Sequence, residues 1–292
     1  MPGELYPPLS DRKELCYTSS VIREPAVAGS FYPADPAILR RDIGVYVKRA
    51  NVEEIEGQVL GLISPHAGYM YSGQVAAYGM KTLIGKEYDT VVVIAPSHRM
   101  YFDGAALLAE GGYRTPLGLV QVDEELVQLL LLQGDMIRSD VRPHIGEHSL
   151  EVQIPFIQYV LKDFRLLPLI MGSQDLFSSK KVSEQILSAM RKRPKRYLVV
   201  GSSDLSHYYP YFRAVELDGA LLKYLEGFDV EGLWREVERG GCEACGVGPI
   251  VATMMVAKGL GATHAKVLKY ANSGDVTGDK GSVVGYVSCV FF

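Results

Sequence analysis

A chain of 292 residues that is 48% hydrophobic can bury a large core, and although it nears the size at which cores divide, it reads most simply as one domain. Its net charge of -4, with no stripe of lysine and arginine interleaved with exposed aromatics, argues against nucleic-acid binding. No apolar run approaches a membrane span and residues 1–20 lack an apolar signal core, so a soluble, cytoplasmic protein is expected.

Residues 1–20 are polar and proline-bearing with no consistent period, which predicts an arm outside the main domain of 21–292. Residues 21–33 carry prolines and a glycine and read as an ordered loop. Asp35 then caps a helix that runs to about Ala50, with Pro36 in its first turn and apolar residues at helical spacing. The next stretch contains one event twice. Residues 59–64 are a short apolar run that stops at Pro65-His66, and residues 90–95 are another that stops at Pro96-Ser97-His98. Neither run alternates polar with apolar, as expected of parallel strands covered on both faces. Residues 71–83 between them read as the crossover helix, giving a β-α-β unit. A proline ends each strand and leaves the following side chain at the carboxyl edge of the sheet, where open α/β proteins place ligands. His66 and His98 are therefore expected side by side. One histidine after a strand is ordinarily a surface or satisfied polar residue; two at successive strand ends point to a shared site.

Further on, residues 104–109 are small and apolar, and 113–122 read as a hairpin turning at 116–118. Asp123 caps a helix to Leu132. Residues 143–151 lead into an amphipathic segment that Pro155 interrupts or kinks. Residues 165–171 form a strand, 179–190 a helix, and 196–201 a third strand ending in a polar group, Ser202-Ser203-Asp204-Leu205-Ser206-His207. Residues 213–239 are mostly helical. Cys242 to Pro249 open a helix over about 250–258, and strands at 265–271 and 282–292 flank a turn-rich loop at 272–280.

The residues able to carry chemistry are His66, His98, Asp204, His207, Cys245 and the Glu147-His148 pair. Cys245 falls near a helix start, where the dipole should lower its thiol pKa. Two imidazoles and a thiolate would hold a transition metal; imidazole suits iron, copper and zinc, and the thiolate favours softer ions. Three protein ligands leave a position for water or substrate. Four cysteines in a chain this long are no disulfide framework, and a single Cys242-x-x-Cys245 argues against a zinc knuckle while allowing a redox pair. Asp204 also fits an N-cap, Glu147 and Glu151 fit first-turn helix carboxylates, and His144 and His264 read as surface histidines. A metal-free alternative keeps Cys245 as nucleophile with His207 or His66 as base and Asp204 orienting the histidine.

Six ordered blocks make the sequence resemble the Memo (mediator of cell motility) family. They are residues 23–33, Ser64-Pro65-His66-Ala67-Gly68-Tyr69, Pro96-Ser97-His98, Glu147-His148-Ser149-Leu150-Glu151, residues 202–207, and Cys245-Gly246 followed by Pro249-Ile250. The resemblance implies an α/β fold with a central, mostly parallel sheet flanked by helices, similar to class III extradiol dioxygenases, which hold Fe(II) with two histidines and a glutamate. It implies His66, His98 and Cys245 as metal ligands, with Asp204 and His207 as catalytic residues in the same pocket. A cysteine in place of the carboxylate is the departure from those dioxygenases. The implied cofactor is iron or copper, with zinc as a further candidate, and the implied activity is a metal-dependent redox reaction on a small-molecule substrate. Non-catalytic metal handling or ligand binding is the other reading. Prokaryotic relatives suggest radical-SAM and AMMECR-type proteins as partners.

Overall fold

The computed structural model describes residues 21–292, so the arm expected at 1–20 lies outside the described residues. After β1 (Ile22–Arg23), α1 (Pro36–Arg49) starts where Asp35 accepts the Ala37 and Ile38 amides, both at 2.9 Å, and buries Leu39, Ile43 and Val47 along one face. The repeated unit follows as β2 (Gly61–Ser64), α2 (Tyr69–Lys81) and β3 (Thr90–Pro96). β4 (Ala105–Leu107) precedes the hairpin β5 (Gly112–Thr115) and β6 (Gly118–Gln121), which joins β1 in a small sheet. Asp123 caps α3 (Glu124–Leu131) through the Leu126 amide.

β7 (Ile137–Ser139) and a 3-10 turn at Arg142–His144 were not evident in the sequence; three-residue elements carry too little pattern. α4 (Gln153–Val160) takes Pro155 as its third residue. That position has no intrahelical partner for an N–H, so the proline starts the helix and does not interrupt or kink it. Next come β8 (Arg165–Met171), α5 (Leu176–Lys192), β9 (Tyr197–Ser202) and β10 (His207–Tyr209). The long helical stretch is two helices, α6 (Tyr211–Glu226) and α7 (Val230–Glu238), divided where Phe228 adopts a positive φ of 49°. α8 (Val247–Gly259) and β11 (Ala265–Asn272) follow. The expected loop contains one helical turn, α9 (Ser273–Thr277), closed by a capping box between Asn272 and Asp275, before β12 (Val283–Phe291).

The nine-stranded sheet has the order β10-β12-β2-β9-β3-β8-β4-β7, with β11 also paired to β12. Its centre, β2-β9-β3-β8, is parallel, and β12 and β4 flank it antiparallel. All seven residues of β3 are buried, which accounts for a strand without alternation. Helices α1, α2 and α4 pack together on one face, and α5 and α8 pack on the other. β2 and β3 are thus not neighbours: β9 lies between them. The carboxyl ends of the parallel strands still share one edge, and the segment after β9 brings Asp204 against the His66 backbone.

Arg23 ties the first loop to this edge. Its guanidinium is ion-paired with the buried Glu151 and donates to the backbone oxygens of Glu147 and His144. Glu151 also accepts the Tyr32 hydroxyl and the Ala26 and Val27 amides. Glu147 and Glu151 both precede α4, so neither is a first-turn helix carboxylate. His144 is fully buried rather than superficial, with Nδ1 2.5 Å from the Tyr113 hydroxyl, whereas His264 is exposed.

Removing one partner of a buried ion pair strands the other charge. Arg23→Met is therefore expected to lower unfolding stability by about 3–5 kcal/mol, measured by urea denaturation. Burial, reinforced by the nearby Arg23 charge, pushes the His144 imidazole down to about 3. Its neutral form is thus stabilising above its unfolded pKa of about 6.5, and that contribution is lost as pH falls from there toward 3, because the unfolded state takes up the proton first. Denaturation at pH 6.5 and pH 5 should show His144→Gln losing less stability on acidification than the parent, by up to about 1.4 kcal/mol per pH unit.

Candidate metal centre

His66 follows β2, and its ring is almost wholly buried. The Ser202 hydroxyl donates to the Ser149 carbonyl at 2.6 Å and accepts the Gln153 side-chain amide at 2.9 Å. Having spent its proton, Ser202 can only accept from His66 Nδ1, 2.9 Å away. His66 is therefore the Nδ1–H tautomer, with a free lone pair on Nε2. Burial, with the imidazoles of His98 and His148 nearby, holds its pKa well below the usual histidine range.

His98 follows β3 and His148 precedes α4. Both point Nδ1 at the same carboxylate oxygen, Glu147 Oε1, at 3.0 and 3.2 Å. Glu147 also accepts the backbone amides of His98, His148 and Ser149 at 2.7, 2.9 and 3.0 Å. Burial alone would raise this carboxyl, but the hydrogen bonds from His148, His98 and the backbone amides hold it far below the ordinary carboxylate range. Glu147 is therefore ionised and fixes both imidazoles as Nδ1–H donors.

The three rings meet. His98 and His148 stack with centroids 4.7 Å apart, and His66 meets them edge-on at 5.2 and 5.4 Å. One ring nitrogen from each of the three lies within 4.8 Å of the others. Imidazoles whose other nitrogen is hydrogen-bonded to a carboxylate or hydroxyl are the usual form of a metal-ligating histidine. This set can hold a metal ion.

The other expected residues surround it. Cys245 Sγ is 3.2 Å from His66 Nε2 and accepts the Asp204 amide at 3.3 Å, but it does not form such a close group with His66 and His98. Cys245 lies two residues before α8, and Gly246 permits the approach: a Cβ there would come within 2.5 Å of the Ser202 carbonyl oxygen. The expected lowering of its thiol pKa is not found. Burial, with the Asp204 carboxylate beside it, pushes the thiol up, and this outweighs the helix terminus. Asp204 is no N-cap; its Oδ1 accepts the His66 amide at 2.8 Å, and burial raises its carboxyl. His207 Nδ1 lies 2.7 Å from the Leu205 carbonyl, so it donates there and leaves Nε2 as an acceptor. Cys242 is a free, buried thiol, raised to about 11 by burial, and forms no disulfide with Cys245.

His66, His98, His148, Asp204, His207 and Cys245 all line one cleft of about 730 Å³. Sequence reasoning left the role of the Glu147-His148 pair open. His148 arrives from the turn before α4 and not from a strand end; its signal was its adjacency to Glu147, the carboxylate that orients it.

Residues 23–290 match the family model described as Memo-like protein. The chain belongs to the Memo family. Memo relatives align over nearly their whole length. A MEMO1 family protein of Methanopyrus kandleri is 38% identical over 278 residues, covering 92% of this chain and 98% of the relative. One from Methanosarcina mazei is 40% identical over 270 residues (92% and 98%), and one from Sulfolobus acidocaldarius is 38% identical over 283 residues (93% and 99%). The mostly parallel sheet and flanking helices agree with what the Memo resemblance implied. Among the described residues, no helix is long and apolar enough to cross a membrane.

Replacing the shared carboxylate by a neutral amide weakens both Nδ1–H contacts at once. Glu147→Gln should lower metal affinity about 10- to 100-fold with the fold retained, as read by competitive titration with a chromogenic chelator and by circular dichroism.

Proposed function

We propose that this Memo-family chain is a metal-dependent redox protein that holds iron or copper over His66, His98 and His148 and acts on a small molecule in the cleft above them. The observation that supports this reading is the convergence of three imidazoles, each with Nδ1 engaged as a donor. Nitrogen donors of this kind suit iron, copper and zinc. Cys245 is the proposed additional ligand, since its sulfur already touches His66 Nε2. A cation there would take the place of the thiol proton that burial now stabilises. The bound ion would supply Lewis acidity and, if iron or copper, a change of oxidation state.

The surrounding residues have proton-handling roles in this proposal. His207, with Nδ1 committed to Leu205, presents Nε2 as a base. Asp204, raised by burial, can retain a proton and return it. The metal-free alternative has less support, because a thiol raised by burial and by Asp204 is a poor nucleophile.

Elemental analysis of protein purified without oxygen or chelator tests the proposal. About one iron or copper per chain is expected in the parent, with loss in His98→Ala and His148→Ala while circular dichroism is unchanged. Cys245→Ser is expected to keep bound metal but to hold Cu(I) less tightly, because the soft donor is gone. A parent that carries no metal and takes up none when it is offered would overturn the reading.

A further inference from the structure

We propose that Tyr208 is a ligand-stacking residue of the cleft, and that the cleft takes a flat aromatic molecule that is uncharged or cationic rather than an anion. This rests on the reading that the space above the three histidines receives a small molecule.

The backbone carries the first part of the argument. β10 pairs with β12 through His207 opposite Val284 and Tyr209 opposite Val283, so Tyr208 is an extra residue bulged out of the ladder. Its φ is +65°, in the left-handed region where a bulge ordinarily places glycine. Only Asp163 and Phe228 share such a conformation among the described non-glycine residues, and neither lines the cleft. The strain is not offset by packing. Tyr208 is 75% exposed, and its ring meets His207 only edge-on at 5.6 Å. Among the described residues its hydroxyl has no hydrogen-bond partner. A bulge that turns a solvated aromatic ring toward the site, directly after His207, is explained by something the ring binds from outside the chain.

The walls carry the second part. Phe31 and Tyr71 line the same cleft as Tyr208 and are partly exposed, giving ring surface against which a planar molecule can pack. The lining contains Asp204 and Asp279 but no lysine or arginine. An anion entering there would lose hydration and meet no lysine or arginine, whereas a cation gains the Asp279 carboxylate and the tyrosine faces.

Calorimetric titration of the chelator-treated full-length chain with phenethylamine, 2-phenylethanol and phenylacetate separates these terms, since the three are similar in size and differ in charge. The amine and the alcohol are expected to bind, with phenylacetate weaker than the amine by about tenfold. Tyr208→Gly relieves the backbone strain, so it should melt no lower than the parent while binding phenethylamine about fivefold more weakly. Tyr208→Phe should keep the parent affinity. Equal binding of phenylacetate, unchanged affinity in Tyr208→Gly, or no binding of any of the three overturns the inference. Metal uptake is measured on the same preparations. Uptake without ring binding defeats this inference alone, and ring binding without uptake defeats the metal proposal alone.

Discussion

One buried carboxylate organises the histidine cluster. Glu147 accepts from two imidazoles and three backbone amides, and no other group in the cleft constrains so many partners. It sets the tautomer of His98 and His148, brings their rings into stacking distance and fixes the turn that leads into α4. Its own position is secured from behind by Arg23, which holds the Glu147 carbonyl and pairs with Glu151. The first described loop of the chain is therefore part of the support for a carboxylate 124 residues away. His66 is supported differently, by a neutral Ser202–Gln153 relay. The charge of the Glu147 carboxylate thus lies on one side of the histidine cluster, and the soft sulfur of Cys245 lies on the other.

The parts of this arrangement that were legible in the sequence are those with strong local causes. The two strands that stop at prolines, the Asp35 and Asp123 caps and the 113–122 hairpin all follow from neighbouring residues, and the structure places them within a residue or two. Strand ends also identified His66, His98 and Asp204 as members of one edge. What was not legible depends on distant partners. The insertion of β9 between β2 and β3 is a choice of topology that no local pattern encodes. The burial of His144 depends on Tyr113, and the raised thiol of Cys245 on Asp204, which is 41 residues away. His148 was visible only as half of a polar pair, because its role depends on where the turn before α4 lands.

The site also shows a balance between order and strain. Its floor is hydrogen-bonded: Ser202, Glu147 and the Leu205 carbonyl accept from the Nδ1 of the four site imidazoles, Glu147 from two of them, and Gln153 holds Ser202 in place. Its rim is the opposite. Tyr208 keeps a conformation that its side chain disfavours, and its ring is left to solvent. Such a division suits a pocket whose interior must be fixed before a ligand arrives and whose mouth must adapt to it.

The position of β9 has a consequence for biosynthesis. Strands β2 and β3, each ending in a site histidine, are separated by a strand that begins more than a hundred residues after β3 starts. As the chain emerges from the ribosome, His66, His98 and His148 are all exposed before Ser202, which fixes the His66 tautomer, and well before Cys245. Closing such non-local contacts is a late event. The full hydrogen-bonded arrangement of the cluster therefore exists only once residues 197–245 are in place.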